Sequence, residues 1–409
     1  MYQHRKASRR DPGRGGYLLL SIFAIGATLP SVVARQQFKF ETNWQAQFHS
    51  LSSSVNVARR GPPSSEDGDR IPIRIDNRCE DTIWPGIFTQ AGTGPGTGGF
   101  ELASGNKTEL WVSPDWQGRI WGRTNCTVDG DMASCDTGEC GKLDCESSGV
   151  PPATLAEFTL AGGENNMQTF YDVSLVDGYN IPIAVNHIPS KNTSFIPPNL
   201  TNLACIATAG WLYETNATST IYSNTSYPVP WETDESNDSV SSWCPWPYLK
   251  FPPAKPGHGV FPYPDDNIER PAFSPCNSAC AASGKDKDCC AGKYNDPKVC
   301  KPSRYSKTAK DVCPDAYSFA YDDHQSTFII PKGGGWEVVM CPKGRSTTIL
   351  RQLGDVMFGL ADSGELSDEV LARLRNTTFI NMDKGAGSGL TVELTWLVLS
   401  VLLMVSLSI

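Results

Sequence analysis

The chain is 409 residues long, carries a formal net charge of −9, and contains 14 cysteines, 30 prolines and 37 glycines. The length suffices for a sizeable core in one large domain or two. A mildly acidic chain without a basic patch argues against nucleic-acid binding, and so many cysteines, even in number, argue against a reducing compartment.

In chain order, the first element is a leader. His4, Arg5, Lys6, Arg9, Arg10 and Arg14 form a basic lead, Tyr17 to Leu29 an apolar run, and Val32-Val33-Ala34 a small-residue cleavage region. The run is too short to span a bilayer, which takes roughly 20 residues, so 1–34 reads as a secretory signal peptide. Residues 35–70 are Ser- and Pro-rich and read as a linker. The Arg59-Arg60 pair within it reads as solvated rather than as a processing site.

From Ile71 the pattern changes. IPIRIDN alternates apolar and polar residues as a half-buried strand does. TIWPGIF, TELWV, RIWGR, ATLAEFTL, FYDVSLV, TFIIP and WEVVMC repeat the signal between clusters of Gly, Pro, Asn and Asp. Together they predict a mainly β sandwich or barrel. Gly94, Gly96 and Gly99 make a formal G-x-G-x-x-G, but strand-like FELASGNKTELWV follows where a phosphate cradle needs a helix. That segment is therefore an interstrand loop.

An insertion over about 206–275 is rich in Trp, Pro and glycosylation sequons, and its prolines predict irregular structure. Cys276 to Cys300 is dense in cysteine and small residues, so disulfides must hold it. A zinc cluster is the rival there. It fails because the compartment is oxidising and the nearest histidine, His258, lacks ligand spacing. No metal and no cofactor is expected. Residues 347–385 read as a stalk, with a short amphipathic helix over Glu365 to Leu374.

The chain ends in Trp396 to Ile409, an apolar segment without a basic flank and shorter than a spanning helix. Small residues from Gly385 to Gly389 precede it by a spacer of about ten residues, the layout of a glycosylphosphatidylinositol (GPI) signal. Gly385 is the expected attachment residue, Asn381 an alternative, and 386–409 the removed propeptide. Eight sequons, at Asn106, Asn125, Asn192, Asn199, Asn216, Asn224, Asn237 and Asn376, fit the secretory route.

WGRTNC, CDTGECGKLDC, PPATLAEFTL, FYDVSLVDGYNIP, CNSAC, DCC, VCPDAYSFAYDD and WEVVMCP follow one another between about Ile71 and Pro342. In content and order they closely resemble the thaumatin-like family (pathogenesis-related 5 type). The insertion and anchor signal are nearer its fungal members than its plant defence members. The resemblance implies a flattened two-sheet β-sandwich over 71–346, a disulfide-rich loop-and-helix region and a small disulfide lobe. It also implies the pairs Cys79–Cys341, Cys126–Cys135, Cys140–Cys145, Cys205–Cys313, Cys244–Cys276, Cys280–Cys289 and Cys290–Cys300. The family's further pair is missing: one partner falls near Ile330 and the other near Cys205. Cys79–Cys341 would close a long loop, about 4–5 kcal/mol in the chain-entropy model.

The family's hallmark is an acidic cleft between the sandwich and the loop-rich region. Motif by motif, the resemblance assigns Glu157, Asp172, Asp177 and Asp322 to it, with Asp323 a close rival of the last. The family often has an Arg shortly before Pro151; here Val150 stands near that place, which leaves the cleft without its basic member. From the residues themselves, Ala156, Phe158 and Leu160 share one strand face and Glu157 the other. Asp172 and Asp177, five apart, face opposite ways on a straight strand and converge only if the chain bends near Val176 and Gly178. Phe170, Tyr171, Tyr179 and Tyr317 are either cleft borders or core.

Carboxylates accept hydrogen bonds from sugar hydroxyls, and the resemblance points to β-1,3-glucan or another cell-wall polysaccharide. The expected protein is a monomeric glycoprotein, anchored at the plasma membrane or cell wall, that binds glucan. An endo-β-1,3-glucanase using Glu157 and Asp172 is the enzymatic alternative, since glycoside hydrolysis pairs a protonated acid with an ionised carboxylate. A defence or inhibitor module, its acidic face meeting a protein partner, is the third.

Overall fold

A computed structural model describes residues 70–212, 231–252 and 275–376. The strands among them are β1 (Ile71–Asn77), β2 (Ile83–Ala91), β3 (Lys107–Val112), β4 (Gln117–Thr124), β5 (Thr127–Asp129), β6 (Met132–Ser134), β7 (Leu155–Gly162), β8 (Gln168–Ser174), β9 (Ile183–Ile188), β10 (Leu203–Cys205), β11 (Phe328–Pro331) and β12 (Gly335–Met340). They form one sheet in the order β10-β9-β12-β1-β3, a second in the order β11-β8-β7-β4-β2, and the small hairpin β5-β6. Only β1 with β12 is parallel among these pairings.

Alternation sorts each strand into a core face and an outer face. Phe158 and Ala156 of β7, Tyr171 and Val173 of β8, Ile120 of β4, Ile73 and Ile75 of β1, and Val338 of β12 meet in one buried cluster. Trp336 of β12 links the sheets, its ring centroid 4.4 Å from Tyr171 and 5.5 Å from Phe158. This is the two-sheet β-sandwich. Seven disulfides staple it and leave no free cysteine, with the connectivity that the family resemblance implies. The longest, Cys79–Cys341, spans 262 residues and joins the ends of β1 and β12.

Arg123 of β4 acts as a further staple. Its buried guanidinium donates to the carbonyls of Trp84, Pro85, Lys142 and Leu143, tying the Cys140–Cys145 loop to β2. Burial pushes its pKa down to about 10. The Gly-rich loop passes the same place: a Cβ on Gly99 would stand 2.3 Å from the Leu143 carbonyl and one on Gly98 2.2 Å from that of Cys145. Those two glycines serve close backbone approach, and no helix follows them.

The helices are α1 (Pro198–Thr201), α2 (Asn237–Ser242), α3 (Ala279–Ser283), α4 (Asp286–Cys289), α5 (Arg304–Val312), α6 (Ile349–Ser363) and α7 (Asp368–Asn376). Two expectations need correction. The segment from 347 does not stand off as a stalk through Leu374. In α6, Ile349, Leu353, Met357 and Leu360 recur at helical spacing and are buried in the main cluster. The helix packs beside β11 at the edge of the second sheet. Its first turn is held from outside, because the buried Asp315 carboxylate accepts from the Ile349 and Leu350 amides at 2.7 and 2.9 Å. The amphipathic helix expected near the end of this stretch is α7. Nor is the insertion irregular throughout, since α2 forms within it. Trp243 and Trp246 are buried, and Trp243 donates to the Ala207 carbonyl at 2.8 Å. The leader, the linker, most of the insertion and the anchor signal, including Gly385, lie outside the described residues.

Candidate functional site

The register of the second sheet places three charged residues side by side. Arg119 of β4 is opposite Glu157 of β7, and Glu157 is opposite Asp172 of β8. Directly opposed residues have Cβ atoms about 4.5–5.5 Å apart. All three lie on the face away from the sandwich core, since their flanking neighbours Ile120, Ala156, Phe158, Tyr171 and Val173 fill that core. Half-buried Phe88 of β2, opposite Arg119, ends the row.

Arg119 is 3% exposed at its side chain and ion-pairs Glu157, 19% exposed, at 3.2 Å. Asp177 joins from beyond β8. A turn closes there, with the Gly178 amide donating to the Leu175 carbonyl at 3.0 Å. Gly178 adopts a φ of +96°, a conformation that favours glycine. The bend brings Asp177 Oδ2 to 4.0 Å from Arg119 Nη1. Glu157 and Asp177 therefore gather around one cation, with Asp172 next to Glu157, and that cation corrects the expectation of a cleft without one. It comes from β4, not from the position of Val150, which is exposed.

Asp322 does not join them. Its carboxylate accepts from the Ser318 amide and hydroxyl and ion-pairs Lys310 of α5 at 2.8 Å. The acid of this segment that acts on Asp172 is its neighbour Asp323, whose charge raises the Asp172 pKa. Tyr317 holds Asp323 in place. Its hydroxyl donates to Asp323 Oδ1 at 2.9 Å and also meets Thr327 Oγ1. Its backbone is stitched to the end of β8 through Val173 and Leu175.

Crowding acids around one arginine has electrostatic consequences. Burial, then the charge of Glu157, hold the Asp172 carboxyl well above the usual carboxylate range, with Arg119 opposing them. The same causes push Asp177 up to about 6. Burial also raises Asp323. Within this group of charged residues, two buried polar atoms have no hydrogen-bond partner: Arg119 Nη1 and Asp172 Oδ1. Buried polar groups are normally satisfied, and a catalytic or binding role is one of the reasons for an exception. A donor and an acid left open at the two ends of one short row suit a ligand that both accepts and donates, as a hydroxyl does.

Of the rings considered as borders, Tyr171 and Tyr179 belong to the core, while Phe170 and Tyr317 are half-buried. Among the sequons, Asn106, Asn125, Asn192 and Asn237 are exposed. Asn199 is half-buried, and its Nδ2 donates to the Leu374 carbonyl of α7. Asn216 and Asn224, and the side chain of Asn376, lie outside the described residues. No group of three or more His, Cys, Asp or Glu among the described residues has metal-holding geometry. Sequence reasoning missed Arg119. Its available signal was the alternation in QGRIWGR, which puts Arg119, Trp121 and Arg123 on one face, but nothing local says that this strand pairs with β7.

Residues 77–342 match the thaumatin family. Thaumatin-like protein 1 of Pyrus pyrifolia is 36% identical over 273 residues, 65% of this chain and 88% of that protein. Pathogenesis-related protein 5 of Arabidopsis thaliana is 35% identical over 271 residues, 66% of this chain and 89% of that protein. A glucan endo-1,3-beta-glucosidase of Prunus avium is 32% identical over 275 residues, 66% of this chain and 90% of that protein. With the sandwich, the seven disulfides and a match over most of its length, the chain belongs to the thaumatin family.

Proposed function

We propose that the protein binds a neutral β-1,3-glucan of the cell wall in the groove over β4, β7 and β8, in a defence or wall-associated role. The observation that carries this reading is the row Arg119–Glu157–Asp172 with Asp177 beside it, in which the buried Arg119 Nη1 and Asp172 Oδ1 lack hydrogen-bond partners. A sugar hydroxyl accepts from the guanidinium and donates to a carboxylate at once, and carboxylate acceptors make the stronger class of hydrogen bond. The seven disulfides support an oxidising destination. No helix among the described residues is long and apolar enough to cross a membrane. The GPI signal around Gly385 supports attachment through a lipid.

Retention of the secreted, glycosylated protein on insoluble β-1,3-glucan tests the reading. Glu157→Gln should reduce retention about tenfold, the worth of one charged hydrogen bond. Retention of the wild type should hold steady as salt rises, because a neutral polymer offers no charge to screen. Collapse with salt would instead favour a basic protein partner. Unchanged retention in Glu157→Gln would remove the groove from the account.

A second reading rests on the direct opposition of Glu157 and Asp172. Retaining glycosidases hold their two carboxyls about 5–5.5 Å apart and inverting ones farther, and a cross-strand pair, its Cβ atoms about 4.5–5.5 Å apart, keeps the shorter spacing within side-chain reach. Shortening of the bound glucan, abolished by Glu157→Gln, would establish hydrolysis. Retention without shortening leaves a binding protein.

A further inference from the structure

We propose that Asp172 is the hydrogen-bond donor of the groove, presenting an O–H to an acceptor oxygen of the bound glucan while Glu157 remains the carboxylate acceptor. The proposal rests on the glucan reading for its ligand and on geometry for its proton. Glu157 and Asp172 are equivalent by register, each on an outer face and each beside the other. Arg119 makes them unequal. Its guanidinium ion-pairs Glu157 at 3.2 Å and approaches Asp177 at 4.0 Å, and it makes no ion pair with Asp172. Two carboxylates this close do not both ionise easily, and the one with the adjacent cation keeps the charge.

The groups that face Asp172 agree. From β4 comes Arg119 and from β7 Glu157, while Asp323 and Tyr317 come from the segment after α5. Two of these four are acids, the phenol of Tyr317 is already donated to Asp323, and the cation stands two strands away, beyond Glu157. An ionised Asp172 would meet like charge on both sides and leave Oδ1 buried without a donor. A protonated Asp172 is neutral, and its unpartnered oxygen becomes a place to donate from. The groove then offers an acceptor at Glu157 and donors at Arg119 and Asp172, a pattern that reads hydroxyls and the ring or glycosidic oxygens of an uncharged chain. Should the polymer be cleaved, the same proton would pass to the departing glycosidic oxygen as its bond to the sugar carbon breaks and the Glu157 carboxylate bonds to that carbon; water would then displace Glu157 and return a proton to Asp172.

Asp172→Asn mimics the neutral acid, because its amide is a permanent donor of nearly the same shape. With full-length secreted protein on insoluble β-1,3-glucan, wild-type retention should fall severalfold as the pH is raised from the acid to the alkaline side and the proton leaves. Asp172→Asn should stay close to the wild-type value at the lower pH and hold it at the higher. Asp172→Ala should lose about tenfold at both, the worth of a hydrogen bond to a buried group. Asp177→Asn should keep the wild-type fall, which separates the two titrations. Loss of retention by Asp172→Asn as large as that of Asp172→Ala overturns the proposal, and so does wild-type retention that rises with pH. A ligand-free melting comparison keeps the two readings apart. Asp172→Asn should melt near the wild type at the lower pH and above it at the higher, and melting below the wild type at both overturns the neutral acid. A wild type that never binds the polymer overturns the glucan reading, and the melting comparison still decides where the proton sits.

Discussion

Each sheet of the sandwich carries a row of charged residues across neighbouring strands, and the two rows differ in order. On the first sheet Glu109 of β3, Arg74 of β1, Glu337 of β12 and Asn186 of β9 stand opposite one another in turn. Arg74 pairs with acids on both sides, at 3.1 and 3.4 Å, and Asn186 donates to Glu337 at 2.9 Å. Each contact in that row is attractive. On the second sheet the cation stands at one end, so Glu157 and Asp172 are neighbours, and Asp177 and Asp323 add to the crowd. The same device, a cross-strand charged row, closes on itself when the signs alternate and stays open when they do not. Order within the row therefore separates a structural feature from a candidate binding site.

The sharpest way to break this comparison is to remove each arginine. Arg119→Met leaves Glu157 and Asp177 without their cation on a largely desolvated surface, where breaking an ion pair typically costs about 3–5 kcal/mol. Chemical denaturation should place the loss near the lower end of that range, because Glu157 is 19% exposed and solvent reaches it. The loss should be greatest at alkaline pH and shrink in acid, as protonation removes the uncompensated charge. A loss no greater than that from Arg74→Met would show that the rows are energetically alike.

The sandwich was legible in the sequence because alternation in IPIRIDN, ATLAEFTL and WEVVMC states which side chains face inward. So was the outward direction of Glu157, and so was the need for a bend between Asp172 and Asp177, supplied at Gly178. Arg119 was not, since pairing of β4 with β7 is a non-local choice that its own segment does not encode. Asp322 and Asp323 lie in a loop without strand periodicity, where one residue's difference in facing cannot be read. The helix α6 was hidden by Gly354 and Gly359, poor helix formers, and its stabilising partner, Asp315, lies far back in the chain. Local pattern fixed the scaffold's faces; the composition of the charged row depended on which strands met.

A second effect, of middling size, sharpens the comparison through pH. Asp177 is held near 6 in the folded chain, against about 3.9 when unfolded. Below the unfolded value both states carry the proton and Asp177 has no effect. Between the two values the unfolded chain ionises first, so stability falls as pH rises, and above the folded value the penalty is constant. Asp177→Asn removes it. Because solvent reaches 32% of the side chain, the gain near neutral pH should be about 1–2 kcal/mol, less than the bare shift would give. Urea titrations at acid and neutral pH should find the variant equal to the wild type in acid and more stable at neutrality. A gain in acid alone would mean that the sign of the crowding is wrong.

The smallest expected effect belongs to the closed row, and its smallness is the point. Arg74 is 25% exposed and Glu109 35% exposed, so water already screens much of their attraction. Burial works against the Arg74 charge, while the hydrogen bond that Arg74 donates to Glu109 and the charge of Glu337 raise its pKa. Glu109→Gln removes one arm of the pairing and leaves Glu337, which is 8% exposed and keeps its own contact with Arg74. The expected loss is about 0.2–1 kcal/mol, the usual worth of a solvent-exposed ion pair, and glucan retention should not move. A larger loss, or any change in retention, would mean that the two rows communicate through the core. The most direct route would be Trp336, which lies next to Glu337 in β12 and against Tyr171, the neighbour of Asp172.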